Sequence, residues 1–141
     1  MKSSITFLIS LFAATILQAQ KIAATKVPAV VRTSFTRQFP GIKPAWEKEK
    51  GNYEAGFKQN GLTRSALFDP NGTLEESEIQ IPVAQLPSSV KAYMKIHYKG
   101  SPIKDAAKIT TASGKIEYEA AINKKDILFD AKGNFLKEVT D

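Results

Sequence analysis

A chain of 141 residues that is 43% hydrophobic and 24% charged has the size of one ordinary domain with a true core. It contains no cysteine, which excludes disulfides, thiolate metal sites and thiol nucleophiles, and its one histidine, His97, leaves a histidine zinc site or a Ser-His-Asp relay short of residues. The formal charge of +6 comes from lysines and arginines interleaved with glutamates, not from a basic stripe, so no nucleic-acid partner is expected.

The chain opens with Lys2, an apolar run over 5–17 broken only by Thr6, Ser10 and Thr15, and the small residue of Leu17-Gln18-Ala19. This is the pattern of a secretory signal peptide over 1–19, cut after Ala19. The run is shorter than the ~20 residues a spanning helix needs, so no membrane span is expected after cleavage. Loss of Lys2 would take the charge from +6 to +5. The expected location is periplasmic or secreted, with 20–26 as a flexible lead.

From Val27 the periodicity is helical. Val27, Val30, Val31, Phe35 and Phe39 recur at spacings of three and four, Pro28 suits a first turn, and Pro40-Gly41 stops the helix. Strand patterns follow: 45–50, a turn at Gly51-Asn52, then Tyr53, Ala55 and Phe57 alternating with Glu54, Gly56 and Lys58. Gln59-Asn60-Gly61 turns the chain into a strand over 62–68. A fourth strand over 73–81 has Ile79 and Ile81 on one side and Glu76 and Glu78 on the other.

Between the third and fourth strands stands Phe68-Asp69-Pro70-Asn71-Gly72, and Phe129-Asp130-Ala131-Lys132-Gly133 repeats its FDxxG pattern. An aspartate that bonds its own backbone, followed by a left-handed glycine, predicts a type I turn with a bulge in each hairpin. A calcium loop is not expected. Counting from Asp69, the sixth position is Leu74 where such a loop needs glycine, and the twelfth is Gln80 where it needs glutamate. Asn71-Gly72-Thr73 is a formal glycosylation sequon, relevant only in a host that uses it.

After residues 82–85 the programme restarts. Pro87, Val90, Met94, Tyr98 and Gly100 answer Pro28, Val31, Phe35, Phe39 and Gly41 at a constant offset of 59. Strands over 103–111 and 115–122 follow, and Tyr118-Glu119-Ala120 repeats Tyr53-Glu54-Ala55. The expected fold is α+β: two tandem repeats, 27–81 and 86–141, each a helix plus a four-stranded antiparallel meander. The two make one domain over 27–141 with both helices on one face of the sheet and the other face open.

The ordered set Ala45-Trp46-Glu47, Gly51-x-Tyr53-Glu54-Ala55-x-Phe57, Gly61 and Phe68-Asp69-x-x-Gly72 resembles the exported PepSY-like proteins of Bacteroidetes. The second repeat departs from it, with Ala107 at the tryptophan position and no counterpart of Gly61. The resemblance implies the β-lactamase-inhibitor-like fold and a small secreted binding module, with inhibition among the activities of wider PepSY relatives. It transfers no functional residue.

No stretch forms a catalytic, cofactor or metal motif. Haem ligation by His97 or Tyr98 lacks an attachment motif. The glutamates sit in strand alternation, as a solvated face does, in reach of Lys48, Lys50, Arg64 and Lys115. The sharper reading is that Glu54 and Glu119, equivalent in the two repeats, mark an open face that binds a cationic peptide or protein, with Arg64 and Trp46 as further candidates. The leading expectation is therefore a non-enzymatic binding module, possible inhibitors included. A structural or envelope-associated interaction protein comes second, and a carboxylate-based hydrolase third.

Overall fold

The computed structural model describes residues 20–140, and the signal peptide expected over 1–19 lies outside them. The element order is β1 (Gln20–Ile22), a short 3-10 turn, α1 (Ala29–Gln38), then strands β2 (Ala45–Glu49), β3 (Asn52–Gln59), β4 (Leu62–Phe68) and β5 (Leu74–Ile81). A second 3-10 turn leads to α2 (Ser88–His97), β6 (Asp105–Thr111), β7 (Ile116–Ile122), β8 (Lys125–Asp130) and β9 (Phe135–Thr140). All nine strands pair in sequence order in one antiparallel sheet.

Three local expectations change. The lead over 20–26 is not loose chain: β1 pairs with β2, Ile22 sits opposite Trp46 and packs on the first core, and Ala24–Lys26 forms a 3-10 turn. A strand edge presents unpaired backbone groups, and these residues satisfy them for β2. The first hairpin turns at Lys50-Gly51, both at positive φ, so that Asn52 already pairs with Glu49. Val30, expected on the apolar stripe, is 49% exposed; the buried stripe is the strict four-residue series Val27, Val31, Phe35, Phe39.

The sheet positions two cores. Phe35 is the hub of the first, edge-on to Trp46 (5.6 Å), Phe57 (5.3 Å) and Phe68 (6.3 Å). The second is mainly aliphatic, Val90 and Met94 of α2 packing with Ala106, Ala120, Ile122, Ile127 and Phe129. The β5–β6 ladder, from Glu76 opposite Thr111 to Ile81 opposite Ala106, carries the sheet without a break from one to the other.

Both FDxxG segments form the expected turn. The Asp69 carboxylate accepts the backbone N–H groups of Asn71 (2.9 Å) and Thr73 (2.8 Å), and Asp130 does the same for Lys132 and Asn134 (2.9 Å each). Gly72 and Gly133 have φ of 84° and 83°, and the ladder register shifts at Leu67/Phe68 and at Leu128/Phe129. The glycines have a second task that spacing does not reveal, because each turn lies against the first turns of a helix. A Cβ on Gly72 would stand 3.0 Å from the Val30 carbonyl oxygen, and one on Gly133 would strike Ser89, whose hydroxyl donates to the Lys132 carbonyl at 2.9 Å.

Candidate functional site: a buried acidic sheet face

Strand alternation divides the sheet cleanly. Tyr53, Ala55, Phe57, Ala66 and Phe68 point to the first core, so their neighbours Asn52, Glu54, Gly56, Ser65 and Leu67 point to the opposite face. Register then follows that face across the ladder: Ser65 is opposite Glu78, Glu78 opposite Ile109, Gln80 opposite Ala107, Ala107 opposite Glu119, and Ala121 opposite Asp126. Glu54 on β3, Glu78 on β5, Glu119 on β7 and Asp126 on β8 thus form a line of carboxylates slanting across the sheet.

The acids of this chain are concentrated here. By register the face carries Glu47, Glu49, Glu54, Glu76 and Glu78 from the first half, and Asp105, Glu117, Glu119, Asp126 and Asp130 from the second. Of the fourteen acids in a chain with net charge +6, these ten share one side. The strand lysines there are Lys21 on β1, Lys58 near the end of β3 and Lys137 on β9.

The face is not the solvated surface that alternation suggests. Glu54 is 5% exposed, Glu78 0%, Glu119 2% and Asp126 1%, with Leu67, Ile109, Leu128 and Val139 buried among them. The charge of Lys137 on β9 acts on Glu76 on β5. Those strands would lie about 19 Å apart in a flat sheet, so the sheet curls towards this face.

Burial and like charge act together on these groups. Desolvation raises the Glu54 carboxyl to about 8, with the nearby Glu49 charge adding to it and the Ser65 hydroxyl opposing it. Desolvation raises Glu76 to about 7; Glu117 adds to the shift and Lys137 opposes it. Glu78 is pushed well above the ordinary carboxylate range, first by desolvation and then by Glu119, Glu54, Glu76 and Asp126. Both Glu78 oxygens, one Glu54 oxygen and the Asn52 amide nitrogen are buried without a hydrogen-bond partner.

The candidates taken from the sequence separate in space. Glu54 and Glu119 lie on the acidic face, where both are buried rather than open to solvent. Trp46 and Arg64 do not: Trp46 is 5% exposed in the first core, and Arg64 stands over the Phe39 ring at 5.7 Å and donates to Gln59. Each faces the apolar side because its strand neighbours Glu47 and Ser65 take the other. The residue that sequence reasoning passed over is Glu78. Its orientation was legible in the alternation with Ile79, but its complete burial depends on what β3, β6 and β7 bring alongside it.

Elsewhere the polar groups are committed. The turn carboxylates are held by backbone donors, and bonds from the Asn134 side chain and backbone keep Asp130 below the usual range. Among the described residues no group of three or more acids or histidines is arranged to hold a metal ion. His97 stacks on Tyr93 with ring centroids 4.1 Å apart. The Tyr98 hydroxyl donates to Glu138 at 2.6 Å, and Lys125 pairs with the same carboxylate at 2.7 Å. Two open grooves over the helices, around Arg32 and Arg37 and around Lys91 and Tyr98, contain no carboxylate. No helix of the described residues is long and apolar enough to cross a membrane.

Comparison with known proteins connects this geometry to others. Residues 51–137 match the model of a family described as beta-lactamase-inhibitor-like, PepSY-like. The fold is similar to a protein of Bacteroides eggerthii described as periplasmic, with TM-score 0.71, 18% identity, and 81% of this chain and 88% of that one covered. It is also similar to a DUF2874 family protein of Bacteroides uniformis, with TM-score 0.71, 17% identity, and coverage of 80% and 88%. A BLIP-like protein of Bacteroides fragilis aligns with TM-score 0.62, 20% identity, and coverage of 80% and 86%. No curated protein matches the chain.

Proposed function

The chain belongs to the PepSY-like, beta-lactamase-inhibitor-like family, and from that premise we propose that it is an exported, non-enzymatic binding module that engages a protein or peptide through the acidic face of its sheet. The observation that carries the reading is the segregation of ten acids and a buried apolar floor onto the side away from the two cores, in a chain whose net charge is positive. A face built only for solubility exposes its charges, whereas this one buries Glu54, Glu78, Glu119 and Asp126, and buried charge is retained where it has a partner. The family description makes an enzyme the first partner to try, with inhibition as the consequence.

Two helix-plus-meander units from a duplication, with both helices against one side of the sheet, fit this use. They leave one continuous face of nine strands for a partner. Export by a signal peptide cleaved after Ala19 fits neighbours that are described as periplasmic.

Affinity capture from a native bacterial envelope, followed by carbodiimide labelling of carboxylates with and without the captured partner, tests the reading. The expected result is protection of Glu47, Glu49 and Glu76 with Glu138 still labelled. Protection of Glu138 with the acidic face still reactive would refute it. A second reading, an envelope assembly protein, is favoured by the edge strand β9, where Phe135 and Leu136 are 41% and 45% exposed. It predicts protection confined to β9.

A further inference from the structure

Resting on the reading above that the chain is exported, we propose that the side of the molecule formed by α1 and α2 is a docking surface for an anionic phospholipid bilayer, which leaves the acidic face free for a protein partner. The observation is a segregation of charge opposite to that of the sheet. Residues 23–46 hold Lys26, Arg32, Arg37 and Lys43, residues 82–104 hold Lys91, Lys95, Lys99 and Lys104, and neither segment contains an aspartate or glutamate. All eight cations are exposed. The two segments begin 59 residues apart, the offset that relates the helices, so the charge is built into both halves of the chain.

No described carboxylate pairs with these cations. On the side of the cores Asp69 is held by the backbone of its own turn, and Glu138 by Tyr98 and Lys125. Arg32 and Lys91 donate to the carbonyls of Val27 and Ala84, which leaves their charges uncompensated. The arrangement selects the partner. A site for a single phosphate gathers its donors around one point, whereas these cations are spread along two helices and the segments that flank them. A bilayer offers many mobile phosphates and no fixed geometry, which suits long, flexible, basic side chains. Each helix also exposes one aliphatic side chain among the cations, Val30 at 49% and Ile96 at 64%. Lysine and arginine heads reach the phosphates while such a side chain enters the acyl boundary, as in a helix lying at a membrane surface. The acidic face of a second copy has the right sign of charge, but its central carboxylates, Glu54, Glu78, Glu119 and Asp126, are buried.

The test is flotation of the protein beginning at Gln20 with vesicles of phosphatidylcholine alone or of phosphatidylcholine mixed with phosphatidylglycerol. At low salt the protein should float with the mixed vesicles only, and high salt should release it. Arg37→Gln combined with Lys95→Gln, one cation from each helix, should weaken binding by roughly tenfold or more. Lys58→Gln combined with Lys115→Gln lowers the net charge equally outside the two segments and should leave binding within about twofold. Ile96→Ser should weaken it several-fold. Circular dichroism and thermal melts establish that each variant is folded. Equal binding to neutral vesicles, binding that persists in high salt, equal losses in the two double variants, or no binding to anionic vesicles at low salt would each overturn the inference. So would self-association without lipid that the Arg37→Gln and Lys95→Gln pair abolishes, which would give this side to a second copy. These failures leave the acidic-face reading standing, whereas protection of Glu47, Glu49 and Glu76 from carbodiimide by the vesicles would defeat both.

Discussion

Glu54→Gln separates burial from charge on the acidic face, because it keeps the side chain's size and removes its ionisation. The Glu54 carboxyl stands at about 8 in the folded protein against an ordinary 4.5. Between those values the folded state holds a proton that the unfolded state has released, so stability is highest below the unfolded value and falls as pH rises towards the folded one. At 1.36 kcal/mol per unit the full loss from this one group is on the order of 5 kcal/mol, a large share of a domain's stability. Urea denaturation should therefore show wild-type stability falling from about pH 5 to about pH 8.5. The slope should flatten in Glu54→Gln, which becomes the more stable protein at the alkaline end. A wild-type stability that is level or climbs over this interval, or a variant less stable than wild type at alkaline pH, would refute the reasoning.

Other expectations follow from packing and backbone geometry. Phe35→Ala, which empties the hub of four aromatic contacts, should cost about 3–5 kcal/mol in chemical denaturation. Gly133→Ala should cost at least about 1 kcal/mol more than Gly51→Ala, since both glycines have positive φ but only the former meets a neighbour, Ser89. Equal melting temperatures for the two variants would show that the turn does not bear on α2. Asp130→Ala, which removes two backbone bonds and one from the Asn134 side chain, should lower the midpoint of thermal denaturation. Deleting Gln20–Ile22 should lower stability and expose the edge of β2, with Trp46 fluorescence reporting the loss of its neighbour Ile22.

Much of the architecture was legible in the chain because it rests on local rules. Four-residue spacing from Val27 to Phe39 specifies a helix face, strict alternation from Tyr53 to Lys58 specifies a half-buried strand, and FDxxG specifies a turn whose aspartate and glycine do what their chemistry allows. Strand β1 was also within reach. Ile22 and Ile81 stand at the offset of 59 that relates the two helices, so the same comparison carried six residues further back finds a strand before α1 as there is one before α2. Three residues are too few for periodicity, which is why the segment reads as a loose lead by itself.

The site was only half legible. Alternation places Glu54, Glu78 and Glu119 on one side, since it depends only on neighbours in sequence. Whether that side is wet or dry depends on the curl of nine strands and on side chains separated by dozens of residues, and no local pattern carries that information. The same limit misplaced Trp46 and Arg64 among the binding candidates, because a tryptophan or arginine in a strand looks alike whether it meets a partner or a core. The sequence alone thus determined both helices, the order of the elements and the alternation within the longer strands such as β3 and β5. Tertiary structure alone decided that the acidic side is buried and that Glu78 lies at its centre, because desolvation depends on all the atoms gathered around a group rather than on its neighbours along the chain.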